Sequence, residues 1–245
     1  MSFSAVLHSE WIKVKSLRGT AGSLIAVLLV TLGTTALAFA TIGQAEADDP
    51  GAEPLYDAFY ALNFGQIAAI SFGVTAMSSE YLNGALRISL AAVPRRGPFY
   101  AAKIAVLGGL ALATGLVTAF ASFLLGQSFM GPYAIGLDHP GAVRACVGAG
   151  IYLALLALFA AGLTTVLRSG VAVLCTLVPF VLIVPFVIGD VAGSVAEFLP
   201  DRAGQQILHA HPAGHLGPWT GLAVCAAWSA ATLLAGWWAL RRRDA

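Results

Sequence analysis

"SSEYLNGALRISLAAVPRRGPFYAAK", residues Ser78–Lys103, gathers Glu80, Arg87, Arg95, Arg96 and Lys103 in a chain otherwise poor in charge. From Glu80 the run EYLNGALRISLAAV reads as helical, with Tyr81, Leu82, Leu86, Ile88 and Leu90 apolar and Arg87 projecting from the same short element. Gly84 weakens that helix and is expected to allow close approach of another backbone. Pro94 ends it, because the residue before a proline avoids the α region. Arg95, Arg96 and Gly97 then form a cationic turn, and Lys103 is expected to snorkel at the start of the next helix. Cations alone explain a loop held on one side of a membrane. They do not explain about 25 residues with amphipathic helical content, where bundle connections usually take about 2–8.

Outward from this stretch the chain is apolar. It is 58% hydrophobic and 10% charged, with a mean hydropathy of +0.83. An ordinary soluble domain is about 45–50% apolar and about 25% charged. A soluble fold of this length still exposes much of its area and has nowhere to hide so much apolar surface. The sequence is therefore read as an integral membrane protein. Spans are expected at 22–42, 59–78, 104–125, 145–166, 171–189 and 219–240, none with Asp, Glu, Lys, Arg or His. Each approaches the roughly 20 helical residues that cross a hydrocarbon core about 30 Å thick. The fifth is the shortest, and Pro179 and Pro185 are expected to kink it.

Charge sets the orientation. With the N-terminus inside, one side receives Lys13, Lys15, Arg18, Arg87, Arg95, Arg96, Lys103, Arg168 and Arg241–Arg243. The other receives only Arg144 and Arg202, together with the acidic Glu46, Asp48, Asp49, Glu53 and Asp57. By the positive-inside rule both termini are then cytoplasmic, which an even number of spans also requires. Trp219 and Trp237/Trp238 lie about 19 residues apart, about 28 Å along a helix, as two interfacial aromatic belts would. "AEA" at Ala45–Ala47 resembles a signal-peptidase site, but the preceding apolar run is too long for a signal h-region.

Residues 3–18 form a second amphipathic element. On a helix, Phe3, Val6, Leu7, Trp11, Val14 and Leu17 share one arc with Lys13 and Lys15 at its flanks, which suits a helix lying in the inner interface. Glu10 falls inside that arc. The simpler explanation is an i,i+3 pair with Lys13; the alternative is a contact with the cytoplasmic loop.

Several chemistries find little support. No Gly-x-x-x-x-Gly-Lys-Ser/Thr loop occurs, so the chain has no cradle for a nucleoside triphosphate, and no catalytic residues or cofactor are assigned. The spans lack ionisable groups, which weighs against an ion-coupled carrier, although a secondary transporter or channel remains an alternative. Asn63 and Gln66 in the second span read as helix glue. Gly108, Gly109, Gly115, Gly148, Gly150 and Gly162 suit close helix packing. Cys146, Cys175 and Cys225 fall inside spans and read as small apolar residues. His209, His211 and His215 in "HAHPAGH" are weak metal candidates, having ligand number without a base at a metalloprotease spacing. A net charge of +1 predicts no nucleic-acid partner.

The ordered pattern Glu-Tyr-x-x-Gly-x-Leu-Arg, Leu-x-x-x-Pro-Arg-Arg and Ala-Ala-Lys from Glu80 to Lys103 resembles the loop between the second and third spans of bacterial, especially actinobacterial, ABC-2 type transporter permeases. "SEWIKVKSLRGT", Ser9–Thr20, resembles the start of their N-terminal interfacial helix, and "FLPDRAGQQIL", Phe198–Leu208, their segment before the last span. The resemblance implies an all-α membrane domain over residues 1–245, with an interfacial helix at 3–18 and six spans. Residues 79–103 become a coupling loop, and 190–218 an outer loop whose short helices dip back into the outer leaflet. It further implies an inner-membrane exporter of two permease chains and two ATP-binding subunits, with ATP and Mg held by the latter. Glu80, Tyr81, Gly84, Arg87, Pro94, Arg95 and Arg96 then become candidates for coupling to the ATPase. Arg87, Arg95 and Arg96 would pair with acidic groups of the partner or of the membrane surface. Glu10, Trp11 and Lys13 belong to the interfacial helix, to which Glu80 would be anchored through Lys13 or Lys15.

Overall fold

The computed structural model describes residues 2–16, 18–47, 53–82, 84–184, 187, 193–210 and 214–242, and every regular element among them is helical. In chain order these are α1 (Phe3–Ser16), α2 (Arg18–Thr41), the short α3 (Gly43–Ala47) and α4 (Pro54–Asp57), α5 (Leu62–Ser78), α6 (Ala85–Ala92), α7 (Arg96–Phe129), α8 (Ala142–Leu167), α9 (Gly170–Leu182), α10 (Pro200–Gln205) and α11 (Pro218–Arg242). The helices α2, α7, α8 and α11 are long and apolar enough to cross a membrane. At 17 residues α5 reaches about 26 Å, a little short of a hydrocarbon core about 30 Å thick, and α4 with its following turn extends it. Helix α9 runs through Pro179 to Leu182; Pro185 and most of the remaining expected span lie outside the described residues.

Helix α8 is the hub, mostly buried and packed on α5, α7 and α11. Small residues make this possible. A Cβ placed on Gly73 of α5 would sit 2.1 Å from the carbonyl oxygen of Ala157, and one on Gly115 of α7 would sit 2.6 Å from that of Gly150. Only a hydrogen fits at these crossings, so backbones touch directly. Gly148 receives Ile207 and Gly162 meets Thr232, whereas Gly108 makes only ordinary contact with Leu158 and Gly109 faces open space. Helix α8 ends with Arg168 in the left-handed region (φ 55°), and the Ser169 hydroxyl accepts from the Ala172 N–H at 3.3 Å to start α9.

The segment before α11 folds back onto the bundle. A 3₁₀ turn at Gly193–Phe198 packs on α10, and α10 with a second 3₁₀ turn at Gln206–Leu208 packs against α8 and α11, with Ala203, Ile207 and Leu208 buried.

Two expectations for the opening stretch change. The helix expected from Glu80 is split: a 3₁₀ turn at Ser79–Tyr81 is separated from α6 by Gly84 in the left-handed region (φ 74°). Nothing lies within 4 Å of a Cβ added there, so Gly84 serves backbone conformation, not close approach. The cationic turn is shorter than expected, because α7 already begins at Arg96. At 34 residues α7 is about 51 Å long, longer than a hydrocarbon core, so part of it must stand outside.

Candidate functional site: a buried ionic knot

Three chain segments that the sequence separates meet at one end of the bundle. Helix α1 supplies Glu10 and Lys13, the 3₁₀ turn supplies Glu80, and the first turns of α7 supply Lys103 and Phe99. Lys13 Nζ donates to Glu10 Oε1 at 2.6 Å, to Ser89 Oγ at 2.9 Å and to Glu80 Oε1 at 3.4 Å. Lys103 Nζ donates to Glu80 Oε1 at 2.6 Å and to Glu10 Oε2 at 3.4 Å. The Ser89 hydroxyl in turn donates a hydrogen bond to Glu80 Oε2 at 3.0 Å, which ties α6 into the same cluster. Lys13 also lies 5.3 Å from the centre of the Phe99 ring.

Burial gives this geometry its weight. Glu10, Glu80 and Lys103 are 2%, 4% and 5% exposed. Such charges survive out of water only when paired and hydrogen-bonded, and here two carboxylates balance two ammoniums. For Glu80 burial alone would raise the carboxyl; Lys103, Lys13 and Ser89 together outweigh it and hold the group below its ordinary range. Lys103 therefore does not snorkel as expected. It points into the knot and bridges both acids. Both explanations offered for Glu10 hold at once, since it pairs with Lys13 and with Lys103 beyond it. Ser89 lies three residues from Leu86 and so on the same helix face, the one local signal for its place in the knot; Phe99 carried none.

The knot anchors one face of α6 and leaves the other exposed. Leu86 is buried, with Ser89, Leu90 and Val93 partly so, while Arg87, Ile88, Ala91 and Ala92 are exposed. Ile88 is 72% exposed and Leu82, just before the helix, 62%. Arg95 and Pro94 are exposed at its end. Tyr81 is covered by Arg168, whose guanidinium lies 5.8 Å from the ring centre. Arg96 is committed to the bundle: its Nη1 donates to the Leu240 carbonyl at 2.6 Å, holding α7 to the end of α11. In α1 the buried face is Val6 and Glu10, and Trp11 is exposed with Lys15 5.9 Å from its ring centre.

A second polar cluster occupies the opposite end of α5. Fully buried Tyr152 of α8 donates its hydroxyl proton toward Gln66 Oε1 of α5 and Asp201 Oδ1 of α10, the latter at 2.6 Å. Gln205 Nε2 donates to Asp201 Oδ1 at 2.9 Å and to Asn63 Oδ1 at 3.1 Å. Burial raises the Asp201 carboxyl, only partly offset by the bonds from Tyr152 and Gln205. The histidines are dispersed. His209 Nδ1 lies 2.9 Å from Glu53 Oε2, with its ring stacked on Tyr56, and His215 approaches Glu197; His211 lies outside the described residues. Among the described residues no group of three or more His, Cys, Asp and Glu is placed to hold a metal.

With an ionic knot holding α1, α6 and α7 at one end of an apolar bundle, the comparison with known families becomes informative. The family described as ABC-2 family transporter protein matches residues 6–186. The chain belongs to that family. This ABC-2 permease is thus a multi-pass membrane transporter protein, and the match runs from α1 past α9, leaving α10 and α11 beyond it. Neither the curated proteins nor the solved structures searched gave a match.

Proposed function

We propose that this permease is the membrane-spanning half of an ATP-driven exporter, with the end carrying α1 and α6 cytoplasmic and α6 the element that meets a separate ATP-binding subunit. The supporting observation is α6 itself, an eight-residue helix tied on one side to an ionic knot whose Glu10, Glu80 and Lys103 are buried and exposed on the other. A lever must be stiff where it is mounted and accessible where it is pushed. Ser89 and Leu86 mount it; Ile88, Ala91 and Ala92, with Arg87 and Arg95, form the surface offered. The mixed apolar and cationic face fits a groove with an acidic rim. ATP and Mg belong to the partner, and a second permease chain completes the pathway. The eleven-to-two division of cations supports placing this end in the cytoplasm of a bacterial inner membrane.

The test is co-purification with a P-loop ATPase encoded beside the permease, followed by reconstitution in liposomes. The Arg87→Glu and Ile88→Asp variants should insert and fold normally and lose most transport-linked ATPase stimulation. Stimulation equal to the parent's in both, or labelling of an Arg95→Cys variant from the side opposite the ATPase, would overturn the assignment.

A further inference from the structure

Between the start of α5, the end of α9 and the segment around α10 lies a cavity of about 710 Å³. That is within the range of small-molecule sites, about 300–1,000 Å³. Its lining is unlike the apolar spans below it. Asn63, Gln66, Glu197, Asp201, Gln205 and Gln206 present carboxamide and carboxyl groups, and Tyr60, Phe64, Val181 and Leu182 supply an apolar wall.

The hydrogen-bond accounting is lopsided. Tyr152 has one hydroxyl proton and faces two acceptors, Gln66 Oε1 and Asp201 Oδ1. Gln206 Oε1 is buried with no hydrogen-bond partner among the described residues. Glu197 Oε2 has the His215 N–H at 3.0 Å, leaving room for further donors. The basic groups on the lining are engaged: His209 is held by Glu53 and Tyr56, and Arg202 also interacts within the chain. The lining sets two carboxyl groups, Glu197 and Asp201, against one guanidinium, Arg202.

Its field is negative as well. Tyr56 has its phenol raised by burial and then by the carboxylates of Asp201, Asp57 and Glu53, which Arg202 offsets only in part. Tyr60 also borders an adjoining cavity of about 100 Å³, where Glu46 and Asp57 meet Phe39 and Tyr133. Tyr60 and Phe64 themselves form an edge-on pair with ring centres 6.3 Å apart and are about half exposed. Aromatic faces beside carboxylates favour a cation over a neutral donor.

From this geometry we infer that the cavity is a binding site for an organic cation, a protonated primary amine on an apolar body. The ammonium lies beside Asp201 and donates to Glu197 and to the unpartnered Gln206 Oε1, and the body lies along Phe64, Val181 and Leu182. Binding needs neither ATP nor an ATPase, so its failure and the failure of the coupling assignment are read separately.

The test uses the full chain in lipid nanodiscs and three probes: 2-phenylethylamine, its neutral N-acetyl derivative, and methyl β-glucoside, by saturation-transfer NMR and calorimetry. The amine should bind saturably and at least tenfold more tightly than the acetylated form, with no competition from the glucoside. Glu197→Gln and Asp201→Asn should each weaken it about tenfold, and Asn63→Lys, at a half-buried position, should abolish it. Equal binding of amine and amide, competition by the glucoside, or amine binding unchanged in both Asn63→Lys and Glu197→Gln would overturn the assignment.

Discussion

The two polar clusters of this permease solve burial in opposite ways. At the end carrying α1 and α6, Glu10, Glu80, Lys13 and Lys103 form one set of mutual ion pairs. At the other end the single carboxyl of Asp201 meets a phenol and two carboxamides, with no cation among its hydrogen-bond partners. A closed set of full charges fixes geometry, because removing any member strands another in low dielectric. An open set of one carboxyl among uncharged donors and acceptors fixes less and keeps capacity for something else. The first arrangement suits a mount for a moving part, the second a wall of a binding cavity.

The comparison can be broken most sharply at Lys103. Lys103→Met leaves two buried carboxylates to a single, partly exposed Lys13 and should cost about 3–5 kcal/mol, read as a lowered unfolding midpoint in detergent. Adding Glu80→Leu to it should recover part of that loss, because the stranded acid is gone. Equal or greater loss in the double variant would show that the knot's charges do not depend on one another. At the other end Asp201→Asn keeps an acceptor for Tyr152 and should cost only about 1 kcal/mol. A loss as large as that of Lys103→Met would erase the distinction between the ends.

Acid should separate the ends by sign, with the smallest effect. Glu80 titrates lower folded than its ordinary 4.5, so its contribution is complete above pH 4.5 and is lost as pH falls through the lowered value. Asp201 titrates higher folded than its ordinary 3.8, so its contribution is complete below 3.8 and is lost as pH rises through the raised value. A thermal midpoint followed from pH 8 downward should therefore gain at Asp201 before it declines at Glu80. The gain should vanish in Asp201→Asn and the decline should shrink in Glu80→Gln.

Reading along the chain exposed the charged end far better than the other. Charges are conspicuous in an apolar sequence, and Glu80, Lys13 and Glu10 could be suspected of meeting. Lys103 departs from expectation because a lysine at the start of a span ordinarily reaches for the interface, whereas α7 begins at Arg96 and places Lys103 about two turns inside the helix, where it is buried. Asp201 was overlooked for the reverse reason. An aspartate in a loop between spans reads as solvated, and nothing local announces that α10 packs against Tyr152. Neighbouring Ala203 and Gly204 were the available hint, since small residues permit close packing.

Composition was sufficient to determine an all-helical membrane chain, because solvent partitioning acts residue by residue. The partners of each buried polar group were decided only in three dimensions. Which lysine neutralises Glu80, and whether Asn63 and Gln66 face a neighbour or a cavity, depend on the distances between helices. Those distances are set at crossings such as Gly73 on Ala157, where backbones far apart in sequence come into contact.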